Sequence, residues 1–216
     1  MKKIILLLVC VFPIYSCSYE ESTGIECYHS YLKSGSGKSL KCALAYYDES
    51  VKNDNRDDDK LKLGDLYFLS GRKVKAVELY EQVRASSQSR DASYNLAQVY
   101  YSEGKSETNL SKVEMYLKEA ADAGLAQAQL ELSYLYSTYV KNKDFKKAVK
   151  YLTDAAKNKE RNDDGYVSEA VIQAQFLLGK LYLDGIWGIE KNRDKATYWT
   201  KQASDNMANA EYGVKK

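Results

Sequence analysis

Apolar positions recur with a helical period through most of this chain, and the pattern restarts several times. A leucine and a tyrosine four residues apart, with a small residue after the leucine, occur at 63–67 (LGDLY), 96–100 (LAQVY), 132–136 (LSYLY) and 178–182 (LGKLY). Four positions before each leucine stands a short side chain: Asp59, Ala92, Ala128 and Ala174. Residues four apart share one helix face, and a small residue between them lets a second helix come close. That second helix is written as Ala76-Leu79-Val83, Val113-Tyr116-Ala120, Ala148-Tyr151-Ala155 and Ala196-Trp199-Ala203, an apolar stripe at plus three and plus seven. Self-similarity with a period of 33 to 46 residues predicts stacked antiparallel helix pairs, an all-α right-handed solenoid over 57–216.

The first sixteen residues lie outside this pattern. Lys2 and Lys3 precede an apolar run from Ile4 to Val11, continued by Phe12, Ile14 and Tyr15, with the charge and length of a secretory signal peptide over 1–16. Ile14-Tyr15-Ser16-Cys17 resembles the bacterial lipobox, in which the cysteine is lipidated and becomes the new N-terminus; Tyr15 departs from the small residue usual at that place. The resemblance implies acylation at Cys17 and an outer-membrane lipoprotein facing the periplasm. Ordinary cleavage near Ser16, leaving Cys17 a free thiol, is the alternative. Taking Lys2 and Lys3 from the 32 basic side chains leaves 30, against 30 acidic ones. A balanced mature chain does not suit a nucleic-acid binder that works by bulk charge.

Residues 17–26 are polar and aperiodic, as a tether between lipid and fold would be. Residues 27–56 hold two short helical patterns around a flexible SGSG, followed by the polar KNDNRDDDK, and read as a degenerate capping half-repeat and a linker. With Cys17 acylated, Cys27 and Cys42 form an even pair in an oxidising compartment, and a disulfide between them would replace packing that a terminal repeat lacks. The aspartates of 52–60 suit a helix start; the run has neither the glycine turn nor the glutamate of an EF-hand calcium loop. Residues 208–214 read as a closing helix.

The last unit, AQFLLGKLYLDGIWGIEKNRDKATYWTKQAS, resembles the Sel-one-like repeat, a relative of the tetratricopeptide repeat, in its glycines, its Lys195-Ala196 pair and its aromatic Trp199. The first unit differs: its leucine-to-alanine spacing of 13 is the tetratricopeptide value, against 17, 16 and 18 in the others. The third lacks the glycines and is followed by an insertion at 159–168 (KERNDDGYVS). The resemblance implies a binding module in place of an enzyme.

The residues with chemical potential agree with that. Gly35 to Ser39 looks like the end of a phosphate loop, but its first glycine position is Leu32. Serine-lysine hydrolase strings can be assembled from Ser102 and Lys105, Ser204 and Asn206, and Lys33 and Gly35; their chain order is wrong for that class, although penicillin-binding activity is attributed to some cysteine-rich members of the family. His29 is the only histidine and supplies no metal site. No catalytic residue, metal or cofactor is expected.

What remains is surface. With the first helices lining the concave side, the residues two before and two and five after each leucine face a groove: Leu61, Asp65 and Phe68; Tyr94, Gln98 and Tyr101; Leu130, Tyr134 and Ser137; Phe176, Lys180 and Leu183. Packing of these apolar side chains, above all Leu61, Leu130 and Phe176, against the preceding repeat is the alternative. Tyr94, Gln98, Tyr101, Tyr134, Phe68 and Lys180 are the candidate partner-binding set, because aromatics give contact area at small entropy cost. The partner expected is another protein. Among lipoproteins of this kind two roles compete: an immunity protein that sequesters a periplasm-directed toxin such as a phospholipase, and a scaffold for envelope or exopolysaccharide assembly.

Overall fold

The computed structural model describes the backbone of residues 16–139 and 143–211, and side chains from Thr23 onward. Residues 1–15, which hold all but the last residue of the expected signal peptide, the side chain of Cys17 and everything after Glu211 lie outside the described residues. Among the described residues ten α-helices follow one another: α1 Ser16–Ser34, α2 Gly37–Asn53, α3 Asp57–Leu69, α4 Lys73–Ser87, α5 Arg90–Ser102, α6 Glu107–Asp122, α7 Ala126–Tyr134, α8 Phe145–Lys157, α9 Glu169–Asp184 and α10 Arg193–Glu211, with a π-helical turn Leu135–Tyr139 after α7. The result is an all-α solenoid of paired antiparallel helices, divided into two compact units, Met1–Leu79 and Tyr80–Lys216. Among the described residues no helix is long and apolar enough to cross a membrane.

Two expectations change at the ends. Residues 17–26, expected as an irregular tether, are the first turns of α1. No proline interrupts them, and Gly24 lets α1 lie against α2: a Cβ there would come within 2.1 Å of the Tyr46 ring. At the other end no separate closing helix starts at 208; Ala208 to Glu211 continue α10 without a break.

In the first unit the sulfurs of Cys27 on α1 and Cys42 on α2 are bonded, with the Cα atoms 5.9 Å apart. The hydroxyl of Tyr28 donates to Asp65 on α3 at 3.0 Å. Tyr67 donates to Asp48 at 2.8 Å, and burial together with that bond pushes the phenol up to about 12. The acidic run starts α3, as the helix-dipole reading expected. Asp59 is buried and accepts from Ser50 and Arg56.

In the second unit the repeated phrases form the core. Leu96, Leu132 and Leu178 are buried, as are Val113, Tyr116, Ala120, Ala148, Tyr151, Ala155, Ala196 and Ala203 from the second helices. Gly179 shows why a small residue follows the leucine: a Cβ would meet Thr200 at 2.7 Å and the Ala196 carbonyl at 3.3 Å. The repeat tyrosines stack on aromatics of their partner helices, Tyr100 on Tyr116 at 5.7 Å and Tyr136 on Tyr151 at 5.8 Å. A lysine covers each repeat tyrosine: Lys75 over Tyr67, Lys112 over Tyr100, Lys147 over Tyr136 and Lys195 over Tyr182, at 4.2 to 5.1 Å from the ring centres. In all four repeats that lysine immediately precedes the first small residue of the second helix, so the Lys-Ala pair is a cation–π lid followed by a close-packing position. Consecutive repeats are joined by hydroxyls donating to carboxylates: Tyr116 to Glu81 at 2.6 Å, and Tyr136 to Glu114.

Candidate functional site

Most first helices here end on a glycine in the left-handed region: Gly71 after α3, Gly104 after α5 and Gly185 after α9, with φ of 80°, 114° and 69°. Helix α7 has no glycine at that place. Its last turn widens instead into the π turn Leu135–Tyr139, and the Tyr136 carbonyl accepts from the Asp144 N–H at 3.0 Å. A π turn re-aims the side chains that follow it, and such turns recur at functional sites. Here it places Tyr139 opposite Tyr101 of α5, with the rings edge to face at 6.1 Å and the Tyr101 hydroxyl donating to that of Tyr139 at 3.2 Å.

A cleft of about 320 Å³ opens at this point. Ala97, Val113, Leu117 and Leu135 make its apolar floor; Tyr101, Tyr134 and Tyr139 are its aromatic walls; Gln98, Glu131 and Thr138 are its polar groups. Tyr101 and Tyr134 are 37% and 43% exposed, whereas the repeat tyrosine Tyr136 beside them is buried; elsewhere in the unit Tyr198 on α10 is exposed as well. Glu131 is held by three donors. Tyr94 Oη and Gln127 Nε2 donate to Oε1 at 2.6 and 2.9 Å, and Gln98 Nε2 donates to Oε2 at 2.7 Å. Burial, and then the bond to Glu131, push the Tyr94 phenol up, so it stays a donor. At the other wall Lys105 Nζ donates to Tyr139 Oη at 3.1 Å and stands over the Tyr139 ring at 4.2 Å. The bonds that Tyr139 accepts from Tyr101 and Lys105 pull its phenol down, while donating to Tyr139 raises that of Tyr101.

The structure therefore brings Gln98, Tyr101 and Tyr134 to one cleft. Tyr94 stands beside it, half-buried, with its hydroxyl fastened to Glu131. Lys180 is exposed on α9, away from the cleft lining, and Phe68 is half-buried on α3 of the first unit. Two expected groove positions are corrected: Leu130 and Ser137 are buried. Leu130 joins the core with Ala174 and Leu178 of α9, so it packs between repeats, but against the following repeat and not the preceding one. Phe176 and Leu183, the equivalent positions on α9, are exposed at 36% and 55%. Sequence reasoning missed Glu131, Thr138, Tyr139 and Lys105. The absent glycine of the third repeat was the signal that its first helix ends differently.

Of the serine and lysine strings, Ser102 Oγ donates to the Val99 carbonyl at 2.6 Å and Lys105 donates to Tyr139. Among the described residues no group of three or more His, Cys, Asp or Glu is gathered as a metal site would need. The insertion at 159–168 is a fastened loop. Arg161 and Val167 form an isolated bridge, and Glu160 accepts from the Ala126 N–H at 2.9 Å and pairs with Arg90 at 2.8 Å. A second aromatic surface lies at the loop after α9, where Trp187, at φ 57°, stacks on Phe145 at 5.9 Å.

Three stretches of the chain, 90–125, 126–159 and 172–206, match the Sel1 repeat. The Sel1-repeat-containing protein YjcO of Escherichia coli (strain K12) is 32% identical over 143 residues, which cover 66% of this chain and 58% of that protein; the chain thus spans little more than half the length of this relative. Among solved structures, c5321, a protective antigen present in uropathogenic Escherichia coli strains displaying an SLR fold, is 25% identical with a TM-score of 0.59, over 87% of this chain and 39% of that one. A Sel1 repeat protein from Oxalobacter formigenes has the same TM-score at 21% identity, over 87% and 73%, and carries the likeness of fold alone.

Proposed function

The chain belongs to the Sel1-repeat family through its three repeats between residues 90 and 206, and from that premise we propose that this protein-interaction module is an envelope lipoprotein holding a protein partner at the cleft between α5 and the end of α7. The observation that carries the reading is the set of exposed tyrosines there. Tyr101 and Tyr134 line an apolar-floored cleft, which is the composition of an interface hot spot. Export rests on the leader of residues 1–16 and anchoring on the lipobox-like Ile14-Tyr15-Ser16-Cys17. The partner proposed is a toxic effector directed to the periplasm, sequestered as an immunity protein would sequester it. The gathering of aromatics at one cleft favours this role over a scaffold, which has to hold several proteins at once.

Capture of partners by the mature protein, run beside a Tyr134→Ala variant, tests the binding site. A toxin-like protein retained by the parent and lost by the variant is expected; equal retention places the binding surface elsewhere. Metabolic labelling with palmitate tests the anchor. Label is expected on the parent and absent from Cys17→Ser, and label persisting in that variant overturns acylation at this cysteine.

A further inference from the structure

Glu131 is the one acidic group that lines the cleft, and its surroundings say what the cleft is built to receive. Its three donors are Tyr94, Gln98 and Gln127, all neutral. They fix the carboxylate and bring no positive charge to it. Among the described residues no lysine or arginine forms an ion pair with it, whereas the partly buried Glu81 and Glu160 of the same unit are each paired with an arginine, Arg84 and Arg90, at 2.8 Å. A carboxylate held in one orientation by neutral donors, between apolar and aromatic walls, presents an acceptor that no basic group among the described residues pairs with.

Lys105 forms no ion pair with it. It lines the neighbouring cleft with Glu107 and Glu114, lies over the Tyr139 and Tyr101 rings at 4.2 and 5.6 Å, and donates to the Tyr139 hydroxyl. Its position shows that these rings accept a cation on their faces. Tyr134, three residues after Glu131 and therefore on the same side of α7, is exposed and has no described cation over it. We propose that the cleft is a socket for a basic side chain of the partner protein, an arginine or lysine whose cation pairs with Glu131 against the Tyr134 ring. A guanidinium or ammonium there gains a charge-assisted bond and a cation–π face together.

This inference rests on the cleft being the binding surface, and the experiment separates the two. The probe is N-acetyl-arginine amide, titrated into the unacylated full-length mature protein while the ring signals of Tyr101, Tyr134 and Tyr139 are followed by NMR, with N-acetyl-glutamate amide and N-acetyl-leucine amide as controls. Saturable shifts with the arginine probe alone are expected, weakened by more than about tenfold in Glu131→Gln. That variant keeps the side chain's shape, and unchanged ring signals before titration establish that it folds. A similar response to all three probes, a preference for the glutamate probe, or an undiminished arginine response in Glu131→Gln overturns the proposal. If partner capture is lost in Tyr134→Ala and unchanged in Glu131→Gln, the cleft remains the binding surface and the cation socket is wrong.

Discussion

Tyr134 and Tyr136 stand two residues apart, at the end of α7 and in its π turn, and the fold treats them in opposite ways. Tyr136 is buried, stacked on Tyr151, covered by Lys147 and bonded to Glu114. Tyr134 keeps 43% of its surface in water. Tyr100 is stacked between Tyr116 and Lys112, while its neighbour Tyr101 stays 37% exposed and is met at the cleft wall by Tyr139 and Lys105. One side chain thus serves two ends. On the stacked side, ring, cation and carboxylate are all supplied by the chain and the hydroxyl locks one repeat to the one before it. On the cleft side the Tyr134 ring is left for something else to complete. A high tyrosine content therefore says little about function until each ring is assigned to a side.

Truncation should separate the two sides most sharply. Tyr136→Ala removes a buried ring and orphans Glu114, so a loss of about 3 kcal/mol in stability is expected, read as a lower melting temperature by circular dichroism. An unchanged melting temperature would mean that the stacked side is not structural. Tyr134→Ala should leave melting unchanged and weaken partner binding by about 2 kcal/mol in calorimetry; the reverse result would erase the distinction. The finest test is Tyr136→Phe, which keeps the stack and deletes the bond to Glu114. It should cost about 1 kcal/mol in denaturant melts, and no change would assign the seam to ring packing alone.

The repeated leucine, tyrosine and alanine phrases marked both helices of every pair, because close packing demands small residues at fixed offsets within one repeat. Lys195-Ala196 was visible as a family mark, yet its reason, a lysine lying over the repeat tyrosine, needed the fold. The cleft was only half legible. Tyr101 and Tyr134 follow from helical spacing, but Tyr101 meets Tyr139 and Tyr94 meets Glu131 across 38 and 37 residues, and no periodicity within a repeat encodes such pairings. The start of α1 was missed for a related cause. Its support comes from Tyr46 of α2 closing over Gly24, not from a pattern in its own residues.

The loop at 159–168 interrupts the repeat period, and Glu160 gives it a role in cooperativity. One carboxylate binds the first amide of α7 and the guanidinium of Arg90 at the start of α5. In a stack whose units touch only their neighbours, each boundary is a place where the structure can open by itself, and an irregular insertion would be the first of them. By tying the loop back to the starts of two earlier helices, Glu160 makes opening at the insertion carry the cost of releasing both. Amide exchange at the start of α7 is then set by that larger event and not by local fraying.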